Sequence, residues 1–188
     1  MASASKRVRS LRALFRQIPE DHEILSILFD LSTQADRTAA IVGAAILEDR
    51  LRRTLARYLK SDVKDDEQDS LFSEADNGPL STFDAKTRLA YCLGIFNKNA
   101  KEDFDNIRRI RNGFAHSIPH HAFSSDEIKT ICENFWIVAK SFKEDLGLPD
   151  AILQAPWDFI SPKGLYVLAI GLHHWQLTIH YPVSYISP

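Results

Sequence analysis

One long helical segment, residues 37–59, limits the possible folds of this 188-residue chain more than any other feature. Its first half, 39–47, is small and apolar on every side of a helix, so we expect it to be buried. Its second half turns amphipathic, and Thr33 or Asp36 is a candidate N-cap. A helix buried on all sides needs several neighbours, and Gly43 would let their backbones approach closely. The segment therefore favours a helical bundle.

Cap signatures and apolar periodicity predict the remaining elements. Further helices are expected after residues 19–21, after a cap at 81–84, from Asn99 to about His116, from Ser124 to about Leu146, and over 162–177. The acidic segment 61–78 is predicted to be a solvated loop that Leu71 and Phe72 attach to the core. We therefore predict an all-α, single-domain bundle of about six to seven helices with an irregular or extended C-terminal tail.

Length and composition indicate one soluble domain. With 45% hydrophobic and 26% charged residues, the chain has an ordinary globular composition and can bury a sizeable core. We expect a basic amphipathic helix over 1–18, a helical core over 19–147, and a C-terminal helix and tail packing on that core over 148–188. No secretory signal or bilayer-spanning run is evident, so a cytoplasmic location without membrane association is expected. Cys92 and Cys132 are expected to be buried, reduced thiols.

Residues 108–117 contain the candidate catalytic residues Arg111, Asn112 and His116. RNA cleavage without a metal needs a base, an acid and a cation. Histidine titrates near neutral pH, and a guanidinium holds phosphate without losing its proton, while an amide can position an oxygen or the imidazole. On an ideal helix, Arg111 and His116 lie roughly 140° apart. A shared site therefore requires helix distortion, helix termination near Gly113, or pairing of two copies across a dimer axis.

The same residues also have a structural interpretation. Arg111 can pair with a carboxylate, either Glu48 or Asp49. His116 can stabilise the helix C-terminus, where a cation is favoured. On this interpretation the motif marks the end of a helix rather than an active site. The candidate binding residues are Arg108, Arg109, Glu48 and Asp49.

The sequence predicts no metal site and no cofactor. The adjacent histidines at 120–121 and 173–174 would point in different directions on a helix, and no cysteine or carboxylate completes a metal-ligand spacing. No glycine-rich nucleotide loop is present. The net charge of −2 and the absence of a helix-turn-helix signature leave direct DNA binding as a weak alternative, despite the basic residues at 6–16.

Three blocks of sequence, 36–51, 78–86 and 107–116, occur in an order that resembles the mannitol-operon repressor family. The resemblance extends over roughly residues 20–145. It implies an all-α fold and a non-catalytic transcriptional regulator or co-regulator that acts through protein–protein contacts. We expect such a protein to bind a protein partner and to form a homodimer.

The spacing of Arg111 and His116 is also similar to the Arg-x4-His motif of the HEPN superfamily of helical domains. Many members of that superfamily are metal-independent RNases. Only Arg111, Asn112 and His116 match the motif. This second resemblance implies an alternative function, a metal-independent endoribonuclease that binds RNA in a cleft formed by Arg111 and His116. Of the two hypotheses, we prefer the regulator.

Overall fold

The computed structural model describes residues 21–59, 65–116, 121–144, 158 and 160–179. All regular secondary structure in these ranges is helical, which confirms the predicted all-α class. None of the helices described there has both the length and the apolar character needed to cross a bilayer. In chain order the helices are α1 (Asp21–Thr33), α2 (Asp36–Ala56), α3 (Asp65–Phe72), α4 (Phe83–Cys92), α5 (Lys98–His116), α6 (Asp126–Glu133), α7 (Trp136–Ser141) and α8 (Pro162–Ile179).

The core lies around α2 and α8, which pack closely on each other. A Cβ added at Gly43 of α2 would lie 3.2 Å from the ring of Tyr166, so the glycine leaves room for that side chain rather than for the neighbouring backbone that was expected. The buried Tyr166 hydroxyl donates a hydrogen bond to the carbonyl of Ala40 at 2.8 Å. Burial raises the pKa of Tyr166 far above its usual range, so the phenol stays neutral. Helix α8 therefore shares one hydrophobic core with the long segment 37–59, from which the helical bundle was predicted.

Two predictions about α2 are wrong. Ile41 and Val42 are 36% and 39% exposed, although the segment 39–47 was expected to be buried on all sides. The reason is that the described neighbours of α2 cover its other sides, where Ala40 and Leu47 are buried, and leave this one open. The residue at the N-cap position is Ala35, and no side chain caps the helix there.

Asp36 ties α2 to distant parts of the chain instead of capping it. Its Oδ2 accepts a hydrogen bond from the backbone N–H of Phe123 at 2.9 Å. Its Oδ1 lies 3.3 Å from Nζ of Lys163 at the start of α8. The acidic residue of the first turn therefore joins α2, α8 and the segment before α6.

Several other local predictions differ from the structure. Residues 65–72 form α3 rather than a loop, although Phe72 is buried as predicted. Helix α5 is capped by Asn97 rather than Asn99, because the Asn97 Oδ1 accepts from the N–H of Ala100 at 2.9 Å. The last helix continues to Ile179, two residues beyond its predicted end at 177, where the extended tail was expected to begin.

The predicted single helix from Ser124 to about Leu146 is also wrong, because it is two helices with a break at 134–135. The first of them, α6, has Ser125 rather than Ser124 at its N-cap. By contrast, the cap at 81–84 is confirmed, since Thr82 accepts from the N–H of Ala85 at 3.1 Å. The predicted helix over 1–18 and the tail over 180–185 lie outside the described residues.

The two cysteines differ in environment. Cys132 is buried, as predicted, and burial together with the neighbouring Glu133 carboxylate raises its pKa to about 12. Its thiol therefore stays protonated and unreactive near neutral pH. Cys92 is exposed, so the expectation that both thiols are buried is wrong. The reason is that Cys92 is the last residue of α4, beyond the part of the helix that packs on the core.

Candidate functional site

Helix α5 carries the candidate residues and runs without interruption from Lys98 through Gly113 to His116. Its apolar residues recur at helical spacing, and those on the side that faces the core are buried: Phe104, Ile107, Ile110 and Phe114. Because the helix neither ends at Gly113 nor changes type, Arg111 and His116 stay on different sides of it. Two of the three routes to a shared site, distortion and early termination, do not occur.

Arg111 lies beside Glu48 of α2, one of the two carboxylates considered from the sequence. Its Nη2 is 3.8 Å from the Glu48 Oε2. The other oxygen of Glu48 accepts a hydrogen bond at 2.7 Å from Nζ of Lys86 in α4. The Lys86 ammonium also donates to the carbonyl of Ser81 at 2.9 Å, and its side chain is only 5% exposed. We call Glu48, Lys86 and Arg111 the Glu48 cluster, which joins α2, α4 and α5.

The two other carboxylate and guanidinium candidates on these helices are also engaged. Asp49 pairs within α2, with its Oδ2 at 2.6 Å from Nε of Arg53, and does not meet Arg111. Arg108 connects α5 to α4, because its Nη2 lies 3.3 Å from Oδ1 of Asp84. The Asp49 pair lies within α2, and the Arg108 pair joins α5 to α4.

The opposite edge of α5 presents Arg109, Asn112 and His116, which we call the outer face. Positions 109, 112, 113 and 116 recur at helical spacing and so lie on one side. Arg109 has only a 3.5 Å contact with the amide oxygen of Asn106, and no partner is recorded for the side chains of Asn112 and His116 among the described residues. A Cβ built on Gly113 would meet nothing within 4 Å. Within the described ranges, the outer face is therefore open and rich in hydrogen-bond donors.

The sequence analysis missed a buried pair, Asp103 and His173, which are 2% and 3% exposed. Oδ1 of Asp103 accepts from the N–H of Trp136 at 2.9 Å. Oδ2 accepts from the N–H of Ile137 at 2.9 Å and lies 3.0 Å from Nε2 of His173. A carboxylate of α5 thus caps the N-terminus of α7 and bonds to α8. The sequence signal that could have revealed this pair is the acidic residue Asp103 among the buried apolar positions of α5.

A cavity of about 180 Å³ lies beside this pair, between α5, α7, α8 and the loop before α5. We call it the His173 cavity. His173 forms part of its wall, and most of the remaining lining is apolar or aromatic. Its lining residues are Ile95, Phe96, Asn97, Ala100, Phe104, Trp136, Ile137, Lys140, His173, Gln176 and Leu177.

Helical domains of similar fold are known from solved structures. One is MtlR in the X-ray structure of the MtlR–HPr complex from Escherichia coli, with a TM-score of 0.60, 16% identity, and coverage of 83% of this chain and 99% of that one. Another is YggD from Shigella flexneri, described as a possible transcriptional regulator, with a TM-score of 0.56, 21% identity, and coverage of 84% and 96%. At these identities the likeness concerns the fold.

The family follows from the sequence itself. The mannitol repressor family model matches residues 37–151, which is more than half of the chain. The protein therefore belongs to the mannitol repressor family, a family of transcriptional regulators, and the resemblance seen in the three sequence blocks is confirmed. A comparison with curated proteins finds no match.

Proposed function

We propose that this protein is a non-catalytic transcriptional regulator that acts by binding a partner protein at the outer face of α5. One observation carries the proposal. The donor groups of α5 are divided, with Arg111 next to Glu48 on one edge. On the other edge Arg109 has a 3.5 Å contact with Asn106, and Asn112 and His116 have no recorded partner among the described residues. A surface of donors with so few partners suits recognition of another molecule, whereas a single catalytic centre would need Arg111 and His116 together.

The partner that we propose is a protein of the HPr type, because the similar MtlR structure is a complex with HPr. The guanidinium of Arg109 and the amide of Asn112 donate hydrogen bonds, so the matching surface should present carbonyl or carboxylate oxygens. Gly113 lies between these side chains and has no side chain of its own. A partner can therefore approach the α5 backbone closely at this position.

The proposal is tested by isothermal titration of the protein with HPr from the same organism. Arg109→Ala combined with His116→Ala should weaken binding by about tenfold or more, because two groups at the centre of the surface are removed. Arg88→Ala is the matched control, since Arg88 is an exposed arginine of α4 whose only recorded contact among the described residues is with Asp84, at 3.8 Å. Absence of binding by the wild type, or equal weakening by the control, would contradict the proposal.

We keep the homodimer as part of the proposal. It is supported by Ile41 and Val42, whose exposed aliphatic side chains on α2 would be covered by a second copy. Sedimentation velocity should show a dimer for the wild type and a monomer for Val42→Lys. Tyr91→Lys, a change at a similarly exposed residue of α4, should remain dimeric. A monomeric wild type, or dissociation caused by both variants, would overturn this part.

RNA cleavage is the alternative that the sequence raised, and the proposal predicts none. The positive charge of Arg111 is opposed by the Glu48 carboxylate, and His116 stays on the other side of a regular helix. Diverse RNAs incubated with the protein and EDTA should remain intact. Cleavage that disappears in a folded His116→Ala variant would instead establish the nuclease hypothesis and reject a non-catalytic role.

A further inference from the structure

We propose that the His173 cavity binds a small, single-ring aromatic carboxylate. The site is distinct from the outer face of α5, because it is lined by the start of that helix together with α7 and α8. Nothing in the proposed partner binding requires it. Binding can therefore be measured on the protein alone, without HPr.

The volume and the aromatic lining of the cavity favour a ligand with a single ring. Its volume of about 180 Å³ suits a single ring, since a dry apolar cavity of about 150 Å³ in another protein holds benzene. Two aromatic walls are fixed in place, because the rings of Phe96 and Phe104 are stacked with centroids 4.8 Å apart. Trp136 supplies a third aromatic side chain. A flat apolar ring would gain contact with these surfaces, whereas an extended aliphatic chain would not fill the space.

The hydrogen-bond donors that line the cavity favour a ligand with a negatively charged acceptor. The Asn97 oxygen is occupied by the N–H of Ala100 at 2.9 Å, which leaves its NH₂ group without a recorded partner. No hydrogen bond is recorded for the side chain of Gln176 among the described residues. Lys140 adds a positive charge, with its ammonium 5.0 Å from the centroid of Trp136. All three groups line the cavity, and a carboxylate on the ring is the kind of acceptor that such donors favour.

The acidic groups near the cavity do not prevent the binding of a negatively charged ligand. Asp103 is buried, and its two oxygens already accept from Trp136, Ile137 and His173. It is also not among the residues that line the cavity. The carboxylate of Glu144 lies 3.6 Å from the Lys140 ammonium, but its side chain is mostly exposed. Such a solvated pair is weak and can be exchanged for a ligand carboxylate in a less exposed position.

The probe for this proposal is benzoate, titrated into the ¹⁵N-labelled protein and followed by amide shifts. Binding should saturate, with the largest shifts at residues that line the cavity. Benzyl alcohol keeps the ring and lacks the charge, whereas acetate keeps the charge and lacks the ring. Each should bind at least about fivefold more weakly than benzoate.

The decisive variant is Lys140→Met, which keeps the aliphatic stem and removes the charge. It should weaken benzoate binding by about fivefold or more and leave benzyl alcohol binding unchanged. Lys129→Met is the matched control, because Lys129 also pairs with a glutamate four residues on, at 3.8 Å, and does not line the cavity. The proposal is overturned by absence of saturable benzoate binding, by equal effects of the two variants, or by acetate or benzyl alcohol binding as tightly as benzoate.

Discussion

The two edges of α5 use the same kinds of residue for opposite purposes. On the inner edge, Asp103 is buried among three hydrogen-bond donors and Arg111 lies beside Glu48. On the outer face, Arg109 and His116 are exposed and point away from the core. Charge on the inner edge fixes the arrangement of helices, because removing a partner would leave a buried polar group unsatisfied. Charge on the outer face is free to contact another molecule.

Arg111 and His116 form one motif in the sequence, but in the structure they therefore lie in two separate environments. Arg111 and His116 are five residues apart, which places them on different sides of an unbroken helix. The comparison predicts that substitutions on the inner edge reduce stability, whereas those on the outer face reduce binding. The following variants test that separation, beginning with the largest expected effect on stability.

Asp103→Ala should cost the most, about 4 kcal/mol of unfolding free energy. The change leaves the ring of His173 and two N–H groups at the start of α7, one buried and one partly buried, without their acceptor. Urea denaturation measures the loss. Asp105→Ala is the control on the same helix, and it should cost about 1 kcal/mol because its ion pairs with Lys101 and Arg108 are partly exposed. Similar losses in the two variants would refute the importance of burial here.

Lys86→Met should cost about 3 kcal/mol, because it removes the closest cation from the mostly buried Glu48 carboxylate. The double variant Glu48→Gln with Lys86→Met should lose clearly less stability than the sum of the two single changes. This cycle is measured by chemical denaturation. Strict additivity would show that the Glu48 cluster is not a coupled unit.

Arg111→Ala should have a smaller effect, about 1 kcal/mol, because its contact with Glu48 is long and its side chain is partly exposed. Thermal unfolding of Arg111→Ala and Arg109→Ala side by side checks the prediction. Arg109→Ala should be closer to the wild type, since Arg109 lies on the outer face. The reverse order would contradict the assignment of the two edges.

His116→Ala should change the unfolding free energy least, by no more than about 0.5 kcal/mol, because the side chain is exposed and has no recorded partner in the part of the chain that the structure describes. The same denaturation experiment measures it. A loss of unfolding free energy above about 2 kcal/mol would mean that His116 stabilises the fold, and it would contradict its assignment to the binding surface.

Periodicity in the sequence was sufficient to predict much of the fold. The buried stripe of α5 and the helix over 162–177 are local patterns, and both are found in the structure. Helix α3 was not predicted, because half of its sequence, DDEQDSLF, is acidic and only two of its residues are apolar. The break between α6 and α7 was not predicted either. It depends on Asp103, a residue more than 30 positions earlier in the chain.

The candidate site was predictable only in part, because its contacts also join residues that are far apart in the sequence. The sequence suggested that Arg111 meets Glu48 or Asp49, but the choice depends on which side of α2 faces α5. Lys86 was not anticipated in this cluster, because nothing local shows that a lysine of α4 is buried against Glu48. The His173 cavity combines residues from four segments. No pattern within any one of those segments indicates it.

The most direct test of the account is to map the surface that contacts HPr. HPr is added to the ¹⁵N-labelled protein, and the change in each amide signal is followed along α5. The account predicts the strongest changes at Arg109, Asn112, Gly113 and His116, with little change at the buried positions Phe104 and Ile107. Saturable binding that leaves the outer face unchanged and alters another surface would contradict it.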